Sequence, residues 1–326
     1  MTGAKQFHAN GKLLLTAEYF VLDGALALAL PTKRGQSLTC MPASEQQELA
    51  TLHWQSFDET GTPWFEATFA VQDFAILQAT DTAVANRLRA ILTEARKLVP
   101  AFLPTMPTHP TASTYKFTNL SIHCHLDFPR EWGLGTSSTL IHLVAQWAGA
   151  DAFELQFRTF GGSGYDIACA GADGPLLYRL KDGQPQATPC DFRPSFSDQL
   201  YFVYLGKKQD SREGIARYRQ WSNGAGKALT VFTNKITALT EGFLAAETPG
   251  EFGELMRRHE EVVSEAIGLP RAKSLYFSDF WGEIKSLGAW GGDFVLALSN
   301  RPVEETQTYF NEKGFGVFLP YDTLVR

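Results

Sequence analysis

The stretch PREWGLGTSSTL, residues 129–140, decides how the fold is interpreted. Two glycines bracket Leu134, and the hydroxyl residues Thr136, Ser137, Ser138 and Thr139 then lead into an apolar segment. Glycine lets a backbone adopt positive φ and approach a ligand, and a following helix adds free amides and a dipole that favour anions. The lysine that ends a P-loop is missing, which excludes that motif. The stretch indicates either a loop that holds phosphate or a strand-to-helix turn capped by Ser or Thr.

The elements around this stretch are predicted from hydrophobic periodicity. Residues 120–128 alternate between polar and apolar side chains, which predicts a strand with one buried face. Helices are expected over 80–98 and from about 137 to 147. Near the N-terminus, strands are predicted on both sides of Asp23-Gly24, a dipeptide typical of hairpins.

The second half of the chain is richer in helical patterns. Residues 181–198 contain many Pro, Asp, Gly and Ser residues and are predicted to be a linker or long surface connection. Because runs of strands and runs of helices replace a regular alternation, we expect an α+β fold in two halves, 1–190 and 191–326. The predicted elements beyond the linker are strands at 199–205 and 294–299 and helices at 224–246, 250–267 and 274–286.

Composition excludes several classes of protein. The 326 residues are 44% hydrophobic and 20% charged, which is typical of a soluble globular chain with a sizeable core. A net charge of −6 without a basic block argues against binding to nucleic acid or to an acidic membrane. The first residues do not resemble a signal peptide, and no apolar run is long enough to span a bilayer. Four scattered cysteines without a CxxC pair predict reduced thiols in the cytoplasm.

Two further stretches give the glycine loop a context. ANGKLLLTAEYFVLDG (9–24), PREWGLGTSST (129–139) and KSLGAWGGDFVLAL (285–298) together resemble, in order and approximate spacing, the three motifs of the GHMP kinases. The segment GGSGYDIACA (161–170) resembles the stretch that carries the catalytic aspartate, and the signature of the Gly-Tyr-Asp-Ile-Ala subgroup. The resemblance covers essentially the whole chain. It implies a two-domain fold, with an N-terminal domain like ribosomal protein S5 that binds ATP and a C-terminal ferredoxin-like domain.

The resemblance assigns the proton-transfer chemistry to three residues. Asp166 would be the general base that accepts the proton of the acceptor hydroxyl, whereas the residues alone also allow a helix cap. Lys12 would lie beside Asp166 and favour its ionised form, and the alternative is a lysine at a strand edge. Glu18 would support both residues or would pair with a surface cation.

The cofactors implied are ATP and Mg²⁺, with Ser137 touching the metal or the β- and γ-phosphates. In the third motif, Trp290 replaces the usual central glycine and is expected to narrow the pocket or reshape the loop. The residues assigned to nucleotide binding are Gly133, Leu134, Gly135, Thr136, Ser137, Ser138, Gly288, Gly291 and Gly292.

The chain departs from the family pattern at the magnesium site. Relatives carry a Mg²⁺-binding glutamate between the phosphate loop and the catalytic aspartate, but here only 28 residues separate Ser137 from Asp166. Glu154 and Asp151 are the acidic side chains in a reasonable position. Elsewhere, His123 and His125 lie two apart on one strand face without a third ligand nearby, so a metal site is not expected there.

The acceptor is expected to be phosphomevalonate or mevalonate. Tyr19, the tripeptide before Asp166, and Asp293 after the glycine pair favour phosphomevalonate. The cationic loop 206–212 resembles a substrate-side loop of mevalonate-pathway kinases and also fits a solvated charge cluster. Another small alcohol, such as homoserine or a sugar, and a non-catalytic ligand sensor remain alternatives. The expected partner is a small molecule, and the chain is expected to be a monomer or a homodimer.

Overall fold

The computed structural model describes residues 4–43, 50–103, 119–207, 211–288, 290 and 292–326, with the side chains of 211 and 212 excepted. Across these ranges the helices are all too short or too polar to cross a membrane. The chain forms two compact units. Unit 1 comprises the described parts of Met1–Gly11, Arg34–Arg130 and Gly135–Gly171, and unit 2 those of Lys12–Lys33, Glu131–Leu134 and Ala172–Arg326.

Both units are therefore discontinuous in sequence. The long strand β2 (Ala27–Pro42) shows the physical reason. Its start pairs with residues 176–178 of unit 2, and its end pairs with residues 120–126 of unit 1. One strand thus supplies backbone hydrogen bonds to both units, so contacts that are distant in sequence decide the division.

Unit 1 is a mixed sheet packed against helices. The sheet has the order β5-β4-β3-β6-β2, and β1 also pairs with β2. The pair β3–β6 is parallel, whereas β5–β4, β4–β3 and β6–β2 are antiparallel. The elements besides β2 are β1 (Lys5–Leu14), β3 (Thr51–Phe57), β4 (Pro63–Ala70), β5 (Ile76–Ala79), α1 (Thr82–Leu98), β6 (Leu120–Leu126), α2 (Thr136–Ala148), α3 (Ala152–Thr159) and α4 (Tyr165–Ala170).

The core of unit 1 follows from alternation in its strands. In β6, Ile122, Cys124 and Leu126 are buried while the residues between them are partly exposed, as the sequence predicts. The buried strand residues pack against apolar residues of the helices, such as Leu88 and Ile141. Burial of each such side chain contributes about 1.5–3 kcal/mol of transfer free energy.

Unit 2 contains a four-stranded antiparallel sheet of order β10-β11-β9-β12. The succession of strand, helices, two strands, helix and strand with this order is the ferredoxin-like arrangement that the family resemblance implies. The elements are β7 (Leu176–Lys181), β8 (Gln184–Pro189), β9 (Leu200–Tyr204), α5 (Ser211–Ala225), α6 (Lys227–Ala245), α7 (Pro249–Ile267), α8 (Ala272–Tyr276), β10 (Glu283–Ser286), β11 (Phe294–Leu298), α9 (Val303–Glu312), β12 (Phe318–Pro320) and α10 (Tyr321–Leu324).

Some local predictions were wrong. The first half of the predicted linker, residues 181–189, belongs to the hairpin β7–β8, whose turn residues Asp182 and Gly183 have φ of 51° and 75°, typical of a type I′ turn. The predicted helix 274–286 is short and gives way to β10, because residues 283–286 pair with β11. Asp23-Gly24 ends a 3-10 helix (Phe20–Asp23) in place of a hairpin, with Gly24 in the left-handed region.

Candidate active site

The glycine loop opens helix α2 without a side-chain cap. Gly133 and Gly135 have φ of 68° and 97°, a conformation that strongly favours glycine. The N-cap is Gly135 and makes no side-chain capping bond, so the alternative of a Ser or Thr cap is not what the chain adopts. The amides of the first helical turn have no intrahelical acceptor by geometry. Ser137 is exposed within this turn.

The hydroxyls that follow Ser137 are used by the protein itself. Ser138 Oγ and Thr139 Oγ1 donate to the Gly135 carbonyl over 2.9 and 3.1 Å. Thr139 Oγ1 also lies 2.6 Å from Gln36 Oε1, inside unit 1. These bonds hold the start of α2 against strand β2. In the first turn of α2 the hydroxyl residue Ser137 is exposed and Thr136 is partly exposed.

Lys12 holds the carbonyl groups of the loop. Its backbone N–H donates to Leu134 O over 2.9 Å, and its Nζ donates to Gly133 O over 2.7 Å. In a planar trans peptide the N–H points away from the C=O, so the amides of Leu134 and Gly135 point away from Lys12. Lys12 therefore orients the loop, which a lysine lying along a strand edge would not do.

Asp293 packs directly against the first glycine of this loop. A Cβ atom added to Gly133 would lie 2.2 Å from Asp293 Oδ2, so only glycine leaves room for the carboxylate. Asp293 itself has a φ of 50°. Its backbone N–H donates to Lys207 O and its carbonyl accepts from Leu205 N–H, both over 2.8 Å. From the sequence Asp293 indicated only the acceptor, and nothing local to it predicts contact with a residue 160 positions earlier.

Glu18 is buried in unit 2 and forms an ion pair with Lys285, whose side chain is also fully buried. The alternative that Glu18 pairs with a cation on the surface is therefore wrong, because its partner Lys285 is buried. Ala17 and Tyr19 on either side have φ of 67° and 64°, which is unfavourable for residues with a Cβ. The Tyr19 hydroxyl accepts the backbone N–H of Trp290 over 3.0 Å.

Two further buried groups adjoin this ion pair. The Nε2 of His259 accepts the Ala17 N–H over 2.9 Å and lies 3.4 Å from Glu18 Oε2. Burial and the neighbouring Lys285 hold the pKa of His259 well below its usual value, so the ring is neutral and does not form an ion pair with Glu18. Burial also raises the pKa of Glu18, and Lys285 opposes that shift.

Glu260 completes the buried cluster, which we call the Glu18 cluster: Glu18, His259, Glu260 and Lys285. Glu260 Oε1 accepts the Ser286 N–H over 3.0 Å, and Oε2 lies 3.3 Å from Ser286 Oγ. Burial raises the pKa of Glu260 to about 8 although Lys285 opposes the shift. At neutral pH the Glu260 carboxyl is therefore mostly protonated, beside the Glu18–Lys285 ion pair.

The third motif is described only in part, since Gly291 and residue 289 lie outside the described residues. Gly288 has a φ of 67°. The Trp290 side chain is buried, and its indole N–H donates to Pro270 O over 3.0 Å. The Trp290 ring is thus held inside unit 2.

Asp166 is the second residue of α4 and follows a run of glycines. Gly161, Gly162 and Gly164 have φ of 68°, 92° and 86°, and Gly164 is the N-cap. Asp166 is partly exposed and is not the cap itself. Its Oδ1 accepts the backbone N–H of Ile167 over 3.1 Å.

The two acidic residues considered for Mg²⁺ have structural partners. Asp151 caps α3 by accepting the Glu154 N–H over 2.8 Å, and Glu154 forms an exposed ion pair with Arg158. Neither is assigned to the metal by its contacts. Within the described ranges no group of three His, Cys, Asp or Glu side chains is arranged to hold a metal, and His125 stacks on Phe57. Most of the cationic loop 206–212 lies outside the described residues.

No protein-family model and no curated protein sequence matches the chain. Solved structures match it over nearly their whole length. Phosphomevalonate kinase of Streptococcus pneumoniae, in complex with phosphomevalonate and AMPPNP, is 16% identical, with 97% of this chain and 99% of that chain covered and a TM-score of 0.64. Mevalonate kinase of Methanococcus jannaschii is 14% identical, with 95% and 96% covered and a TM-score of 0.63. Galactokinase of Lactococcus lactis in complex with galactose is 13% identical, with 97% and 92% covered and a TM-score of 0.63.

These similarities establish the fold. The chain has the α+β, two-domain fold of the GHMP kinases.

Proposed function

We propose that this protein is an ATP-dependent phosphotransferase of the GHMP kinase type. The observation that carries the proposal is the uncapped start of α2 behind two glycines of positive φ, with Lys12 holding the Gly133 carbonyl. Free amides at a helix start bind phosphate, so the loop fits the phosphates of ATP. The fold and the order of the motifs support the same assignment.

In this proposal Asp166 is the general base. The acceptor oxygen forms a bond to the γ-phosphorus while the bond to the ADP oxygen breaks, and the acceptor proton passes to Asp166. Lys12 keeps the loop carbonyls turned aside, and Glu18 supports the site from inside unit 2. We assign nucleotide binding to residues 1–190 and the second GHMP domain to 191–326.

The third-motif glycines, Gly288, Gly291 and Gly292, are proposed to support the phosphate loop. Ser137 is proposed as the protein's oxygen ligand for Mg²⁺, because its hydroxyl is exposed in the first turn of α2. Magnesium usually retains several waters and binds substrate phosphates beside one or two protein oxygens, so a single hydroxyl fits such a site. When bound, Mg²⁺ would offset phosphate charge.

The acceptor we propose is phosphomevalonate or mevalonate. Tyr19 and Asp293 favour phosphomevalonate by resemblance, and the similar fold of the phosphomevalonate kinase supports it. We further propose a cytoplasmic enzyme, since its four cysteines are free thiols. As its oligomeric state we propose a monomer or a homodimer.

The test is ADP release by the full chain with Mg-ATP and each of mevalonate, phosphomevalonate, homoserine and galactose. We expect turnover with phosphomevalonate or mevalonate, lowered by orders of magnitude in Asp166→Asn. Turnover with homoserine or galactose alone would replace the proposed acceptor. Binding of ATP without turnover of any acceptor would reject the kinase and favour a ligand sensor.

A further inference from the structure

We propose that the turn Ala17-Glu18-Tyr19 is a clamp that positions Trp290 and Asp293 and, through Asp293, the first glycine of the phosphate loop. All of these residues belong to unit 2. The clamp itself is independent of what the protein binds, while its effect on nucleotide affinity rests on the proposed function. Glu18 and Tyr19 are thereby positioning residues, which act through the loop.

The first contact of the clamp is made by the Tyr19 hydroxyl. It accepts the Trp290 N–H over 3.0 Å. It is also pressed against α5, since a Cβ atom added to Gly214 would lie 2.3 Å from this oxygen. The Tyr19 ring is further stacked on Tyr218, with centroids 5.9 Å apart. The hydroxyl is therefore held on two sides and has little freedom to leave Trp290.

The second contact anchors the start of the third motif. Glu18 pairs with Lys285 at the end of β10, and Lys285 Nζ also donates to Ser286 O over 2.9 Å. Glu260 accepts the Ser286 N–H. A buried ammonium needs such partners because transfer from water is costly. The Glu18 cluster thus ties residues 285 and 286 to the turn and to α7.

The third contact couples the position of Asp293 to that of the phosphate loop. The Asp293 carboxylate lies against Gly133, and the Gly133 carbonyl accepts a hydrogen bond from Lys12 Nζ. Any shift of Asp293 therefore either opens a gap beside Gly133 or pushes it. Since Gly133 is the first glycine of the loop, its displacement changes where the following amides point.

The backbone conformation of the residues involved supports the clamp. Six described residues other than glycine have positive φ, and three of them are Ala17, Tyr19 and Asp293. Such conformations persist only where the surrounding contacts enforce them, and they concentrate at functional sites. Ala17 and Tyr19 lie where this series of contacts begins, and Asp293 lies where it reaches Gly133. We infer that the contacts determine the backbone conformation at both places.

The experiment uses Tyr19→Phe, which removes only the hydroxyl. In protein labelled with ¹⁵N-tryptophan, the Trp290 amide is one of seven tryptophan amides and is assigned with Trp290→Phe. We expect hydrogen exchange of this amide to become at least tenfold faster, while the other amides change little. The affinity for AMPPNP should fall about fivefold or more. Tyr218→Phe is the matched control, because it removes a neighbouring hydroxyl that does not bind Trp290.

A second pair of variants tests the same point without touching Tyr19. Gly214→Ala would place a methyl group on the Tyr19 hydroxyl, whereas Gly224→Ala in the same helix meets nothing within 4 Å. Because alanine favours helix, both variants are expected to fold. We expect faster Trp290 exchange in Gly214→Ala and wild-type exchange in Gly224→Ala.

Unchanged Trp290 exchange in both Tyr19→Phe and Gly214→Ala, or equal acceleration in the controls, would overturn the clamp. Faster exchange with unchanged AMPPNP affinity would overturn its extension to Gly133. If wild-type protein does not bind AMPPNP, the proposed function fails, while the exchange measurements still decide the clamp.

Discussion

The Glu18 carboxylate and the Lys285 ammonium are paired 267 positions apart in sequence, with 1% and 0% of their side chains exposed. Glu18 lies in the first motif, a few residues after the strand that carries Lys12, and Lys285 is the first residue of the third motif. The pair therefore joins two of the three motifs in the interior of unit 2. A buried ion pair rarely makes a protein more stable than apolar residues of similar size would. Removing one partner, however, is strongly destabilising, because the other charge is left buried without compensation.

Lys285→Met should be strongly destabilising, by about 3–5 kcal/mol, because the Glu18 carboxylate loses its cation. The double variant Glu18→Gln/Lys285→Met should recover part of this loss, since neither buried charge remains. Denaturant unfolding of the wild type, both single variants and the double variant measures the coupling. Additive changes would show that the pair does not act as a unit.

Glu260→Gln should change the pH dependence of stability. The pKa of Glu260 is raised to about 8 in the folded protein, from 4.5 for the free side chain. The folded state binds the proton more tightly, so this contribution is fully present below pH 4.5 and is lost as pH rises to about 8.

The glutamine variant lacks this titration and still offers an acceptor to the Ser286 N–H. Its unfolding free energy should therefore improve relative to wild type by a few kcal/mol, as an order of magnitude, between pH 5 and pH 9. Thermal unfolding of both proteins across this range measures the difference. Parallel stability curves would contradict the burial of an uncompensated carboxyl.

Gly133→Ala should lower stability and AMPPNP affinity together. The new methyl group would meet Asp293 Oδ2 at 2.2 Å in a residue whose φ is 68°. Gly149→Ala is the matched control, because Gly149 has a φ of 73° but nothing within 4 Å. The control should lose only about 1–2 kcal/mol for the left-handed conformation.

The double variant Gly133→Ala/Asp293→Ala should regain stability lost in Gly133→Ala, since it removes the clashing carboxylate. Thermal unfolding and calorimetric titration measure both effects. Equal losses in Gly133→Ala and Gly149→Ala would show that Asp293 does not constrain the loop.

Asp166→Asn should lower turnover by about 10²–10⁴-fold with little change in ATP affinity, because asparagine cannot take the acceptor proton. Asp151→Asn changes the same functional group at the cap of α3 and should retain activity. Steady-state kinetics and nucleotide titration of both variants separate chemistry from binding. Activity of Asp166→Asn within a few-fold of wild type would exclude Asp166 as the general base.

Local sequence patterns determined much of the secondary structure and the order of the motifs. Periodicity identified β6, α1 and α7 because each buries one face along its own length, and that face is visible in the spacing of apolar residues. The glycines of the loop before α2 were likewise evident, since positive φ favours glycine.

Only the tertiary structure decided the partners of residues distant in sequence. Three contacts depend on how whole elements pack: the hydrogen bond from Lys12 to the Gly133 carbonyl, the packing of Asp293 against Gly133, and the hydrogen bond from the Trp290 N–H to the Tyr19 hydroxyl. The same holds for residues 283–286, whose helical pattern yields to strand pairing with β11. Local propensities are worth tenths of a kcal/mol per residue, and packing and pairing across a core are worth more, so long-range contacts prevail where the two disagree.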